Sequence, residues 1–372
     1  MDSLTQGLLG AATAQLGFRQ RIGRDATWMA FGAGAAADLD VFFGPLLSMT
    51  GAEVDEFTIM QIHRGPTHSL LLAPLLALPI AFGWWYFRRK VLRLFKADAT
   101  ESSNIGDRPG APGFLLLYAC ILVAFYSHAP LDYLTAYGTQ LFSPLTNARY
   151  ALNTIGIIDF IFTPLLILTL LVCYVVRKFR GGSAPRATLI IGWVGFALAM
   201  GYLGTGRLMH NRAVDIAVRA AGDVEILRAD AYPQIGTIFL WRAVLETPDE
   251  WIAVRVHHFS DDPPSRRRMS RAARHISNEW VEKARRLREY EIYRWFAMGR
   301  LRAEYRRLNG VHVVVFHDMR YSPDSAGIES LWPLRVEFDG EGNLIMAGRQ
   351  PPDRSDGDGM TIGRIWADIW NP

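Results

Sequence analysis

The sequence predicts a mainly α protein. It is read as a multi-pass transmembrane helical bundle of about four to six membrane segments over residues 1–206, followed by a small soluble α+β domain over residues 207–372. Two observations carry this reading. Apolar runs of spanning length recur before Thr205, and after it no run approaches the ~20 residues a membrane helix needs. Basic residues also gather in alternate short loops between those runs, as they do where loops stay on the cytoplasmic side.

Segment one, about Leu4 to Phe18, is short and rich in Gly and Ala, so it suits a tightly packed or partly inserted helix, and Arg19, Arg21 and Arg24 follow it. Segment two, about Ala26 to Leu47, has Gly32, Gly34 and several alanines for close helix contact, and it carries Asp38 and Asp40 towards its end. Segment three, Leu70 to Phe87, begins just after His63 and His68 and ends in Arg88-Arg89-Lys90, with Arg93 and Lys96 beyond. Residues 97–112 read as a polar loop. Segment four runs from Gly113 to about Tyr126 and is closed by His128 and Asp132. A turn-rich connection from Tyr137 to Pro144 leads to segment five, about Ile155 to Val176, with Asp159 near its beginning and Arg177, Lys178, Arg180 and Arg186 after it. Segment six, about Thr188 to Thr205, ends the membrane part.

In the tail, Thr237 to Glu246, Trp251 to Val256, Val311 to Phe316 and Leu334 to Phe338 are strand-like, and Arg274 to Phe296 has helical spacing. A small antiparallel sheet with helix is expected. Arg266-Arg267-Arg268 with Arg271 and Arg274 reads as a solvated or headgroup-facing surface.

A net charge of +4 and a pI near 9.1 do not indicate nucleic acid, because much of the excess sits in short loops where membrane orientation accounts for it. Cys120 and Cys173 both fall inside expected spans and support neither a disulfide framework nor a cysteine metal site. No cleavable signal is expected, since Met1-Asp2-Ser3 offers no basic residue ahead of the first apolar stretch.

The basic loops put residues 88–112 and 177–187 in the cytoplasm, and residues 48–69 and the tail beyond 207 on the outer, periplasmic face. That orientation gathers Asp38, Asp40, His63, His68, His128, Asp132 and Asp159 at the outer ends of their segments, although none of them was used to derive it. Carboxylates and imidazoles at a membrane edge are costly unless paired or metal-bound, so their convergence indicates a functional site. Imidazole and carboxylate suit a divalent ion, for which zinc is expected. Gly65-Pro66 makes a turn that lets His63 and His68 converge. His128 and Asp132, at i and i+4, share one helix face, whereas Asp38 and Asp40, at i and i+2, need an extended or helix-end backbone to share an ion. Asp159 serves equally well as a ligand or as the cap of segment five. Asp2 and Gln6 share the outer face, and His257, His258, His312 and His317 in the tail read as structural.

The opening Met1-Asp2-Ser3-Leu4-Thr5-Gln6, Asp38-Leu39-Asp40, His63-Arg64-Gly65-Pro66-Thr67-His68-Ser69, His128 to Asp132 and Tyr137-Gly138-Thr139 occur in an order that resembles the YdjM-type family of inner-membrane metal-dependent hydrolases. The resemblance covers about residues 1–165; Trp241-Arg242 and Asp318-Met319-Arg320-Tyr321 look similar to stretches of the family's longer members. It implies a multi-pass inner-membrane hydrolase whose acidic and histidine motifs bind metal. More remotely, the His and Asp spacing is similar to that of zinc-dependent phospholipase C and its nuclease relatives. The chain departs from the nearer family at Ala37, where proline is common, at Gln6, where many members carry histidine, and at Asn153, where aspartate is frequent. These departures count against a full multinuclear centre.

The sequence therefore points to a membrane-bound metal-dependent hydrolase in which activated water attacks a phosphoester or a lipid-linked substrate presented by the surrounding bilayer. The expected metal ligands are His63, His68, His128 and Asp132, with Asp40 and Asp159 as further candidates; Asp38 or Asp40 completes the site or acts as general base, and Arg64 neutralises an anionic substrate. The alternatives are a non-catalytic, metal-stabilised membrane scaffold or a transporter. Clustering at one face rather than at the midplane argues against transport. Substrate, metal number, oligomeric state and the role of the tail are not encoded in any motif.

Overall fold

The structure is a computed structural model and describes residues 1–94, 113–180, 185–260 and 268–350. The polar loop expected over residues 97–112, along with Arg266 and Arg267 of the arginine run, lies outside the described residues. The chain divides into two compact units. The first comprises the described residues of Met1–Val54, Ile62–Ala151 and Phe160–Tyr202; the second gathers Asp55–Gln61, Leu152–Asp159 and the described residues from Leu203 onward.

In the first unit, α1 (Ser3–Ala14) is capped by Asp2, whose carboxylate accepts from the Thr5 amide at 2.9 Å. After the short α2 (Phe18–Ile22), α3 (Asp25–Ala35) passes into a 3-10 helix, Ala36–Phe42, and then α4 (Phe43–Ser48). The α5 helix (Glu56–Ile62) precedes a 3-10 turn at Pro66–His68, and α6 (Ala73–Leu94), α7 (Phe114–Tyr133), α8 (Phe162–Phe179) and α9 (Pro185–Ala221) follow.

Small residues set the spacing of α1 and α3. A Cβ on Gly10 would lie 2.3 Å from the Ala30 carbonyl oxygen, and one on Gly34 would lie 2.6 Å from that of Gln6. Apolar contact alone gives little drive for association in lipid, so close backbone approach takes its place. The core beneath consists largely of alanines, with Ala26, Ala30 and Ala33 meeting Ala77, Ala81, Leu117, Ile121 and Ala124.

Four stretches among the described residues are long and apolar enough to cross a membrane: Asp25–Ser48, Phe114–Tyr133, Phe162–Phe179 and Pro185–Ala221. Glu56–His68 and Ala73–Arg89, bent by 77° at their break, make a fifth if the pair is a broken span or a re-entrant loop. Segment one is not among them, because α1 has only 12 residues. Segment five starts later than expected, at Phe162. Segment six does not stop at Thr205 but continues as α9 to Ala221, where Ala213, Ala217 and Ala221 form a buried stripe at i, i+4 and i+8.

The second unit holds two antiparallel four-stranded sheets rather than the single sheet expected. One runs in order β1 (Arg228–Pro233), β2 (Leu240–Glu246), β3 (Glu250–His257) and β4 (Met269–Ala273); the other runs β5 (Leu301–Leu308), β6 (Val311–Asp318), β7 (Leu334–Phe338) and β8 (Leu344–Arg349). The helical stretch expected over 274–296 is two short helices, α10 (Glu279–Ala284), capped by Asn278, and α11 (Arg288–Phe296). The Trp241-Arg242 and Asp318-to-Tyr321 stretches meet in space. The buried Arg242 guanidinium donates to the carbonyls of Met319 at 3.0 Å and Ser325 at 3.2 Å, while Arg320 is paired with Asp318 at 2.6 Å. Burial of the Arg242 guanidinium is offset by these carbonyl acceptors on Nε and Nη1, although Nη2 is buried without a partner among the described residues.

Candidate metal centre

Four side chains, Asp38, His68, His128 and Asp132, bring one ligand atom each within 4.8 Å of one another. His128 and Asp132 stand one turn apart at the end of α7, His128 Nε2 lying 3.4 Å from Asp132 Oδ2. His68 arrives on the 3-10 turn after Gly65-Pro66. Asp38 comes from the 3-10 helix after α3; with three residues per turn there, Asp38 and Asp40 point in different directions and do not share a site.

The outward nitrogens of the two imidazoles orient the inward ones. His128 Nδ1 lies 2.6 Å from the carbonyl oxygen of Gly34, which only accepts, so Nδ1 carries a proton and Nε2 is turned towards the cluster. Gly34 can accept because the last carbonyls of a helix have no partner within it. His68 Nδ1 faces the Thr67 hydroxyl at 2.9 Å and Asp40 Oδ2 at 3.4 Å; that hydroxyl donates to Asp40, so His68 also carries a proton on Nδ1. The two Nε2 atoms lie 2.9 Å apart. Asp38 Oδ1 lies 3.4 and 3.3 Å from the Nε2 atoms of His68 and His128, and Asp132 Oδ2 lies 3.2 Å from that of His68.

Two imidazole nitrogens and two carboxylate oxygens therefore converge, a group that could hold a metal ion. Five of the six separations run from 2.9 to 3.4 Å, near the roughly 3.3 Å edge of a tetrahedron with ~2.0–2.1 Å bonds, while the Asp38 and Asp132 oxygens are held only within 4.8 Å of each other; two imidazoles with two carboxylates form a donor set that suits zinc. The site could hold one such ion.

The surrounding residues hold these four in place. Asp40 makes three contacts outside the cluster: His63 Nδ1 at 2.8 Å, the Arg64 amide at 2.9 Å and the Thr67 hydroxyl at 3.0 Å. Asp40 and His63 thus pair with each other, and Asp40 reaches the four only through Nδ1 of His68. Arg64, with a left-handed φ of 58°, is buried, its Nε 3.1 Å from Asp132 Oδ2 and its face over Tyr137. This places Arg64 as the counter-ion of Asp132, because its charge is taken up inside the protein rather than offered at an entrance. A strained non-glycine backbone here is held by the Asp40 and Asp132 contacts. Asp159 is not one of the four; its backbone bridges Gly236, and α8 begins beyond it with Ile161 at the cap position.

Three supporting groups were not identified as such from the sequence. Ser3 Oγ donates to Asp38 Oδ2 at 2.6 Å, Gln6 Nε2 donates to Asp132 Oδ1 at 2.9 Å, and the Met1 amino group pairs with the same Asp132 oxygen. The opening motif, Met1 to Gln6, was their only signal. Gln6, where many relatives of the resembled family carry histidine, sits against Asp132 as a hydrogen-bond donor. Asn153, the other polar departure, donates to Asp230 at 2.9 Å in the second unit.

A family model described as YdjM inner membrane protein matches residues 1–210. The chain belongs to that family. With its apolar helices, this YdjM-family protein is a multi-pass protein of the inner membrane. The match contains all four clustered residues, along with Asp40, His63 and Arg64. No curated protein and no solved structure matches the chain.

Proposed function

We propose that this protein is a membrane-bound metal-dependent hydrolase that cleaves a phosphoester or a lipid-linked substrate at the Asp38, His68, His128, Asp132 cluster. The observation that carries the proposal is the convergence of two imidazole nitrogens and two carboxylate oxygens in one cluster. A zinc ion held there would supply Lewis-acid chemistry, activating water and polarising an ester oxygen. Asp38 is the one member of the four that is not fully buried, its side chain 11% exposed against 0–1% for the others, so the cluster opens on its side. Asp38 Oδ2 accepts from Ser3 and is positioned to take a proton from attacking water. His63, 19% exposed and oriented through Nδ1 by Asp40, lies at the edge of the site, where an imidazole could serve a leaving oxygen as general acid.

A screen of phosphodiester and phospholipid substrates with zinc-loaded protein tests this. We expect turnover that chelator abolishes and zinc restores, and that falls at least a hundredfold in Asp38→Asn with little change in melting temperature. Loss of thermal stability on chelation, from a parent that hydrolyses nothing, would support the scaffold reading, for which the burial of the other three ligands speaks.

A further inference from the structure

Within the first unit, a cavity of about 1170 Å³ lies between the end of α1, α2, the start of α3, the end of α8 and the start of α9. Those are the ends of α1, α3 and α8 away from the metal cluster. Arg19, Arg24, Arg177 and Lys178 line it. The carboxylate nearest in effect to Arg19, Asp25, is already paired with Arg88 at 3.0 Å, and Arg177 donates to the neutral Gln15 at 2.7 Å. Burial, and then repulsion from Arg177 and Arg24, pushes the Arg19 guanidinium below its usual range. The positive charge in the cavity is thus largely uncompensated. Gln20, also lining it, has both its amide nitrogen and its amide oxygen buried without a hydrogen-bond partner.

The remaining wall is apolar, with Trp28 71% exposed beside Phe31 and Tyr174. The volume exceeds the ~300–1,000 Å³ of ordinary ligand pockets and is far more than a lone phosphate fills. We infer that this cleft binds an anionic phospholipid, its phosphate held by Arg19, Arg24 and Arg177 with Gln20 as a polar partner, and its acyl chain laid along Trp28, Phe31 and Tyr174. A cationic rim above an apolar wall matches the headgroup and tail of such a lipid in order. This site is separate from the metal cluster and does not depend on its chemistry.

The test is native mass spectrometry and binding titration on the full chain with phosphatidylglycerol, with phosphatidylcholine of the same acyl chains, and with inorganic phosphate. We expect phosphatidylglycerol to be retained and to bind at least fivefold tighter than phosphatidylcholine, with Arg24→Gln weakening it by about fivefold and the Arg19→Gln, Arg177→Gln pair by more. Arg21→Gln, which removes an equally exposed charge from α2 outside the cavity, leaves binding unchanged. Equal retention of phosphatidylcholine overturns the inference, as does displacement of the lipid by millimolar inorganic phosphate or an equal effect of Arg21→Gln and Arg24→Gln. Should the paired variant fail to fold, Arg24→Gln decides, because Arg24 is exposed and makes no core contact.

Discussion

Asp40 and His63 are placed to do different things from the four residues they adjoin. Asp40 binds the proton-bearing side of His68 and the backbone of Arg64, so Asp40→Asn loosens the ligand without removing it, and metal affinity is expected to fall about 10–100-fold. His63→Ala is expected to keep metal affinity within about twofold while turnover drops. Competition with a chromogenic chelator measures both, and equal losses in the two variants would contradict this assignment. The candidate residues were visible because histidine and aspartate beside apolar runs are too costly to be incidental, but His63, Asp40 and Asp159 were expected as ligands where the cluster has Asp38 beside His68, His128 and Asp132. Which of them share an ion was not legible. That depends on the Gly34 carbonyl, far from His128 in sequence, and on a 3-10 turn that sends Asp38 and Asp40 apart.

Among the helices, the contact of α1 with α3 sets the site, since Gly34 orients His128 and Ser3 holds Asp38. Gly10→Ala would drive a methyl into the Ala30 carbonyl and is expected to cost ~1–3 kcal/mol, lowering the melting temperature in detergent and weakening metal binding together. Gly32→Ala, whose Cβ meets nothing within 4 Å, is expected to be neutral. An unchanged melting temperature in both would argue against close packing here. The glycines and alanines of segment two announced such packing, but not which glycine makes it. In the sheets, burial lowers His258 and His317 from 6.5 to about 4. Protonation therefore favours the unfolded chain, and the stability these residues allow is complete above pH 6.5 and declines as pH falls towards 4. Hydrogen exchange in peptides covering β3 and β6 should quicken over that window, and less so in the His258→Gln, His317→Gln variant. Strands β3 and β6, the first ending just before His258 and the second containing His317, were readable from β-branched runs over 251–256 and 311–316. The polar strands β1 and β4 and the doubling of the sheet were not, since Arg228 to Pro233 and Met269 to Ala273 lack that pattern.

Among the helices of the first unit, the ends of α1, α3 and α8 beside Arg19, Arg24 and Arg177 are opposite to the ends beside the candidate metal cluster. By the positive-inside rule the cluster is expected on the outer side. Because Cys120 and Cys173 are buried, introduced cysteines report topology cleanly. Thr50→Cys should react with an impermeant reagent from outside, and Arg180→Cys only after the membrane is opened; the reverse would invert the protein and move the site to the cytoplasm. The central claim is that Asp38, His68, His128 and Asp132 together hold a divalent ion. Elemental analysis of protein purified without chelator, beside His68→Ala and His128→Ala, tests it most directly. The account predicts about one zinc-like ion per chain in the parent and a near-complete loss in each variant. A parent that neither carries nor takes up a divalent ion, or variants that retain the parent's full content, would contradict it.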